Sequence, residues 1–274
     1  MSEKNEVGID DFARVNERHW ENCVRDGAGC TIPWLDLDPD LLRQFATGEL
    51  DPLPESLAVR GFATKFPGNM LARVQDKDVL CLGAGGGQQS AVFGLLGARV
   101  TVVDLSRGQL EGDRKAAAHY GYEIATIHAD MRDLSPLQDE SFDIVYATGL
   151  CYVPDIRRVY CEIARVMRPG GTLRLDISDP ALQFVAWDGK GYQITRPYCE
   201  VTDHREDGAV EFRHFMDDAF SGLPDSGFAL RLVVDPCRHR KPPADAAPGS
   251  WAHQEAYVGI GGCVIVATKD LRSL

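Results

Sequence analysis

The sequence predicts an α/β fold: a seven-stranded, mostly parallel sheet with helices on both faces and an antiparallel last strand. Three observations predict it. Five short apolar runs between Asp78 and Ile177 are interspersed with helix-like segments, the pattern of a parallel sheet built from crossover connections. The first run, Val79-Leu80-Cys81-Leu82, opens into Gly83-Ala84-Gly85-Gly86-Gly87, and the second leads to Asp104, 21 residues after Gly83. Two last runs, Phe228 to Asp235 and Gly262 to Thr268, are separated by a proline-rich loop, Pro236 to Gly249, with no helix predicted between them. Such a pair closes a sheet antiparallel.

Residues 1–75 read as an N-terminal extension or lid and 76–274 as the core. In the extension, Asp10 to Val24 is helix-like, with Phe12, Val15, His19 and Val24 on related faces. A loop through Gly27 and Gly29 leads to Pro33-Trp34. Asp40 to Phe45 is a short helix and Asp51-Pro52-Leu53-Pro54 a linker. In the core, the glycine turn is followed by a helix from Gln88 to Leu96 and a strand from Arg99 to Val103. Ser106 and Gln109 have the spacing of a capping box and start a helix that stops at Gly121. Glu123 to His128 is the third strand and Phe142 to Ala147 the fourth. Ile156, Val159, Tyr160, Ile163 and Val166 recur at helical spacing between Pro154 and Met167. Arg168-Pro169-Gly170-Gly171 then turns into the fifth strand, Thr172 to Ile177. Residues 180–216 form an insertion, in which Tyr198 to Phe215 reads as a hairpin about Asp207-Gly208. A helix from Asp217 to Ser226 ends at Gly227.

Composition removes several function classes. The net charge of −12, from 29 basic and 41 acidic residues, argues against a nucleic-acid partner. No apolar run approaches membrane-spanning length, so no membrane partner is expected. The start of the chain, MSEKNEVGIDDF, lacks the apolar stretch of a signal peptide, and a cytoplasmic location is expected. The eight cysteines include no C-x-x-C pair, which argues against a disulfide framework. Without H-E-x-x-H, a Walker A loop or clustered ligand spacing, no metal is expected.

Strand, glycine turn, helix, strand and acid form the nucleotide-binding half of a Rossmann-like sheet. The glycines fall at Gly83, Gly85 and Gly87, while Gln88 stands where a dinucleotide fingerprint has its third glycine. With Asp104, Asp130-Met131 after the third strand, Ala147-Thr148-Gly149 after the fourth and Arg168-Pro169-Gly170-Gly171, the chain resembles the class I (Rossmann-like) S-adenosylmethionine-dependent methyltransferases of the small-molecule type. The resemblance covers roughly Asp78 to Asp179 and Asp217 to Lys269. It implies S-adenosyl-L-methionine as cofactor, with Gly83, Ala84, Gly85, Gly87 and Gln88 beside its amino-acid part. It also implies Asp104 and Leu105 at the ribose, Asp130 and Met131 at the adenine, and Thr148 beside the methyl. The Asp/Asn-Pro-Pro-Tyr/Phe sequence of DNA adenine methyltransferases is absent after the fourth strand.

The expected activity is methyl transfer to O, N or S of a small organic molecule. The acceptor side is where residue types offer choices. His214, with a pKa suited to proton removal, is the candidate general base. Trp20, Trp34, Tyr152 and Tyr192 offer flat apolar surface, and Arg213 a carboxylate partner. Rival readings are an RNA or protein methyltransferase, a non-catalytic S-adenosylmethionine-binding protein, and an NAD-dependent dehydrogenase.

Overall fold

Alternation along the strands divides the apolar residues between the two faces of one sheet. The computed structural model describes residues 10–67, 69–180, 182–238, 241, 244–259 and 262–271; the start of the extension and part of the proline-rich loop lie outside them. The sheet contains β1 (Asp78–Leu82), β2 (Arg99–Asp104), β3 (Ile124–His128), β4 (Phe142–Ala147), β5 (Met167–Ser178), β6 (Phe228–Val234) and β7 (Gly262–Lys269). Their order is β6-β7-β5-β4-β1-β2-β3. β1 to β5 pair in parallel, and β7 runs antiparallel to both β5 and β6. Chain order reverses between β1 and β4, so a crevice opens at the C-terminal ends of these strands.

The helices are α1 (Asp11–Arg25), α2 (Pro39–Thr47), α3 (Glu55–Ala58), α4 (Phe62–Lys65), α5 (Gln89–Leu95), α6 (Arg107–Tyr120), α7 (Ile156–Val166), α8 (Gly222–Asp225) and α9 (Trp251–Tyr257). On one face Leu80, Leu82, Val145, Leu173 and Leu175 meet the buried stripe of α7 and Leu223 of α8. Asp155 starts α7 by accepting from the Arg158 amide. On the other face Val79, Cys81, Val102 and Tyr146 pack with α5 and with Leu37, Leu42, Leu57, Phe62 and Phe66. The chain before β1 is therefore half of the core on that face. None of the helices among the described residues is long and apolar enough to cross a membrane.

Several local expectations are corrected. β5 begins earlier than expected, at Met167, so Arg168 to Gly171 fall within its bounds at an irregularity in the pairing with β4, where Phe142 pairs with Met167 and Ile144 with Thr172. The segment from Asp217 starts as a π-helical stretch, Asp217–Ser221, before α8. The insertion carries two hairpins. Val185–Trp187 pairs with Tyr192–Ile194, and Thr202–His204 with Val210–Phe212, the second across the expected Asp207-Gly208 turn. α9 breaks the expected continuous loop before β7, with Ser250 accepting from the His253 amide as its cap. The closing pair is antiparallel even so. Between the linker at residues 51–54 and β1 the chain forms α3 and α4.

Phe62 is the hub of the face that includes the extension. It is fully buried, with ring centroids 5.7, 5.4 and 5.2 Å from those of Trp34, Phe45 and Phe66. Phe62→Ala should cost about 3–5 kcal/mol. Because extension and sheet share this core, urea unfolding followed by Trp fluorescence and circular dichroism should show one coincident transition; two separate transitions would contradict it.

Candidate functional site

A cavity of about 630 Å³ lies in the crevice at the C-terminal ends of β1, β2, β4 and β5. Of the residues expected at a cofactor, Gly83, Ala84, Gly85, Gln88, Asp104, Leu105, Met131 and Thr148 line it. Of those expected at an acceptor, Trp20 and Tyr152 line it, their rings meeting edge to face at 5.5 Å. Gly87, Asp130, Trp34, Tyr192, Arg213 and His214 are not part of the lining.

The glycine turn is held from behind by two buried acids. Asp104, at the end of β2, accepts from the Gly85 amide at 3.2 Å and the Ser106 amide at 2.8 Å. A Cβ on Gly85 would stand 2.7 Å from an Asp104 oxygen, so this contact requires glycine. Gly83 is likewise enclosed: with φ of +60°, its Cβ would lie 2.7 Å from the Thr148 carbonyl oxygen and 2.8 Å from Met131 Cε. Asp113, fully buried on α6, accepts from the Gly86 amide at 3.2 Å, the Gly87 amide at 2.9 Å and the Ser90 hydroxyl at 2.5 Å. Burial lifts the Asp104 carboxyl to about 6, against the amides that pull it down. Burial likewise lifts Asp113 to about 7, opposed by the Ser90 hydroxyl and helped by the charge of Asp104.

The outlying residues have identifiable duties. Gly87 gives its amide to Asp113, and its carbonyl accepts from the Trp34 amide at 3.1 Å, so it seats the extension on the turn. Trp34 itself stacks on Phe62. Asp130 is fully engaged by the Arg132 guanidinium, which also reaches Asp10 at 2.8 Å. Arg213 is buried and donates to the Pro197, Tyr198 and Gln183 carbonyls. His214 is also buried, with Nε2 2.9 Å from the Leu150 carbonyl oxygen, and burial holds its pKa below the usual histidine value. Tyr192 pairs with His253 Nδ1 at 2.7 Å.

Other residues at the site gave no sequence signal. Fully buried Asn16 of α1 lines the cavity and donates to the Tyr152 and Val210 carbonyls while accepting from the Val210 amide. One side chain thus joins α1, the loop after β4 and the second hairpin. Glu21 accepts from the Ser106 hydroxyl and the Gly108 amide, fastening α1 to the start of α6. Ser106 caps α6 as its spacing predicts, but Asp104 takes the amide that a reciprocal capping box would give to Gln109. Gln109 Oε1 is left buried, without a hydrogen-bond partner among the described residues, in the wall of the cavity. Lys65, Arg174 and Asp176 complete the wall at the β5 end. Asp113→Asn would present an NH₂ group where the turn offers donors. At pH 8, with the acid ionised, it should lower unfolding stability by about 2–4 kcal/mol; a urea midpoint equal to that of the unmodified protein would contradict the assignment.

The comparisons with known proteins agree with this geometry. Residues 80–175 match a family model described as a methyltransferase domain. An uncharacterized methyltransferase, YbaJ, of Bacillus subtilis is 30% identical over 231 residues, 78% of this chain and 87% of that one. A ubiquinone biosynthesis O-methyltransferase of Xanthomonas axonopodis is 32% identical over 238 residues, 85% and 86% of the two chains. Among solved structures, an S-adenosylmethionine-dependent methyltransferase from Mesorhizobium loti superposes with a TM-score of 0.58 at 23% identity, over 80% of this chain and 99% of that one. The Gly83–Gly87 turn, the acid that ends β2 and the antiparallel β7 are thus parts of a known machine: the chain belongs to the class I, Rossmann-like S-adenosylmethionine-dependent methyltransferases.

Proposed function

We propose that the methyl acceptor is a small organic molecule, methylated at O, N or S, and that the cavity takes it together with S-adenosylmethionine. The observation that carries this reading is convergence. Asp104 and Gly83 on the cofactor side, and Trp20, Tyr152 and Thr148 on the other, line one cavity of the size of a small-molecule site. The ubiquinone biosynthesis relative is named for chemistry of this class. The net charge of −12 supports a partner other than nucleic acid.

The residues present fit the cofactor. Asp104 lines the cavity, where its carboxylate can accept from ribose hydroxyls. Leu105 and Met131 offer apolar surface for the adenine, and the backbone at Gly83 and Gly85 admits the amino-acid part. When bound, the cofactor supplies an electrophilic methyl on a sulfonium. The chain's part is to hold the acceptor atom in line and to exclude water. In this reading α1 and residues 180–216 form the lid. Asn16 bonds to both, His19 of α1 reaches the Asp207 carbonyl at 3.2 Å, and Phe12 meets Phe212 edge to face at 5.3 Å. His214 and Arg213 hold lid and loop in place rather than touching the acceptor.

S-adenosylhomocysteine release should follow incubation with S-adenosylmethionine and a low-molecular-weight cell extract; release with the macromolecular fraction alone would contradict the reading. The cofactor should also respond to pH through Asp104. Ribose hydroxyls donate to the carboxylate, so protonation below about 6 removes the acceptor. By calorimetry, Kd for S-adenosylmethionine should rise about tenfold between pH 7 and pH 5. Asp104→Ala should weaken binding about tenfold or more at pH 7 and flatten that dependence. A Kd in the unmodified protein that ignores pH over this range would refute the role.

A further inference from the structure

The cavity wall is electrically lopsided. Asp104 stands at the end of β2. At the opposite end, three strand spacings away across β1 and β4 and so roughly 14 Å, the wall carries Arg174 and Asp176 of β5. Arg60 and Lys65, from the chain just before and within α4, line the same cavity. In a protein of net charge −12, this clustering of cations needs a physical reason.

Arg60 is neutralised, since Asp36 accepts two bonds from its guanidinium at 2.7 and 2.6 Å. Asp176 serves the other two cations unequally, pairing with Arg174 and reaching Lys65 only through its charge. Arg174 is 1% exposed, lies 4.4 Å over the Tyr146 ring, and gives Nη1 to Asp176 at 2.5 Å. Its Nε is buried and has no hydrogen-bond partner among the described residues. Lys65 places its ammonium 4.6 Å over the Trp34 ring and has no carboxylate within ion-pair reach among the described residues. Burial, then the charge of Arg174, pushes the Lys65 pKa down, and Asp176 offsets this in part. A buried guanidinium beside a poorly paired ammonium leaves positive charge that is costly unless an anion balances it. Val59 and Val264, the latter paired with Asp176 across β5 and β7, add apolar surface to the lining.

Building on the small-molecule reading above, we infer that this end of the cavity is the acceptor's anchoring site, and that it takes an organic anion whose carboxylate is held by the Lys65 ammonium, with the charge of Arg174 behind it, while its apolar body lies along Val59 and Val264. Such a site gives the methyltransferase a selection rule, preferring charged acceptors over neutral ones of equal shape. It also separates charges along the cavity, with the acid at the ribose end and the cations at the acceptor end.

The test uses the full chain loaded with S-adenosylhomocysteine, titrated with benzoate, phenylacetate and octanoate, each against its neutral amide. At least one acid should bind about tenfold or more tighter than its amide. Lys65→Met, which breaks no ion pair, should abolish that preference, and Lys65→Arg should restore it; S-adenosylhomocysteine affinity should stay within about twofold in both. Equal binding of every acid and amide, or binding of none, would overturn the anion site while leaving cofactor binding, and with it the methyltransferase site, standing. An S-adenosylhomocysteine affinity weakened about tenfold by Lys65→Met would also overturn it, because the cation would then serve the cofactor's own carboxylate. Failure of the unmodified protein to bind S-adenosylhomocysteine at all would overturn both readings.

Discussion

Backbone amides at the turn after β1 point inward, and two buried carboxylates receive them. Asp104 takes the amide of Gly85, while Asp113 takes those of Gly86 and Gly87 together with the Ser90 hydroxyl. Both acids are nearly or fully shielded from water, so their charge is tolerable only because these donors surround it. The turn is therefore set by its support. Its open side faces the cavity, and Asp104 contributes to both sides at once. A residue that builds the turn also lines the cavity, which couples the shape of the one to the charge of the other.

The rest of the structure is fitted around that turn. The Trp34 amide bonds to the Gly87 carbonyl, and Gln88 Nε2 donates to the carbonyls of Gly29 and Ile32. The extension is thereby stitched to the turn by polar contacts and to the sheet by the Phe62 cluster. α1 is held differently. Its attachments are Glu21 at the start of α6, Glu17 beside His128, Asp10 on Arg132 and Asn16 on Tyr152 and Val210. Edge-to-face contacts of Phe12 with Phe212 and of Trp20 with Tyr152 add to these, and few of its residues are buried, Ala13 and Asn16 among them. An element with little buried apolar surface opens at lower cost than one sealed by apolar packing.

Much of this was legible in the sequence because periodicity reports burial directly. The five core strands, the stripe of α7, the glycine turn and Asp104 all follow from residue spacing. Residues whose role depends on a distant partner were not legible. Asp113 sits in a polar stretch of α6 and looks like a surface acid; only the turn folding over it makes it a buried acceptor. Asn16 and Arg174 carry no local pattern that distinguishes them from solvated residues, yet both are buried in the cavity wall. His214 and Arg213 show the reverse case. Their chemistry drew attention, but Arg213 spends its donors on carbonyls of the insertion itself and His214 pairs with the Leu150 carbonyl after β4. Three-residue strands such as Val185–Trp187 are too short for alternation to reveal.

The account rests on Asp104 serving both the turn and the cofactor, and a crystal structure of the chain with S-adenosylhomocysteine bound tests this most directly. It predicts that both ribose hydroxyls lie within hydrogen-bond distance of the Asp104 carboxylate, that the sulfur lies beside Thr148, and that the glycine turn keeps its bonds to Asp104 and Asp113. A ribose bound away from Asp104, or a turn that must break from Asp113 to admit the ligand, would contradict it.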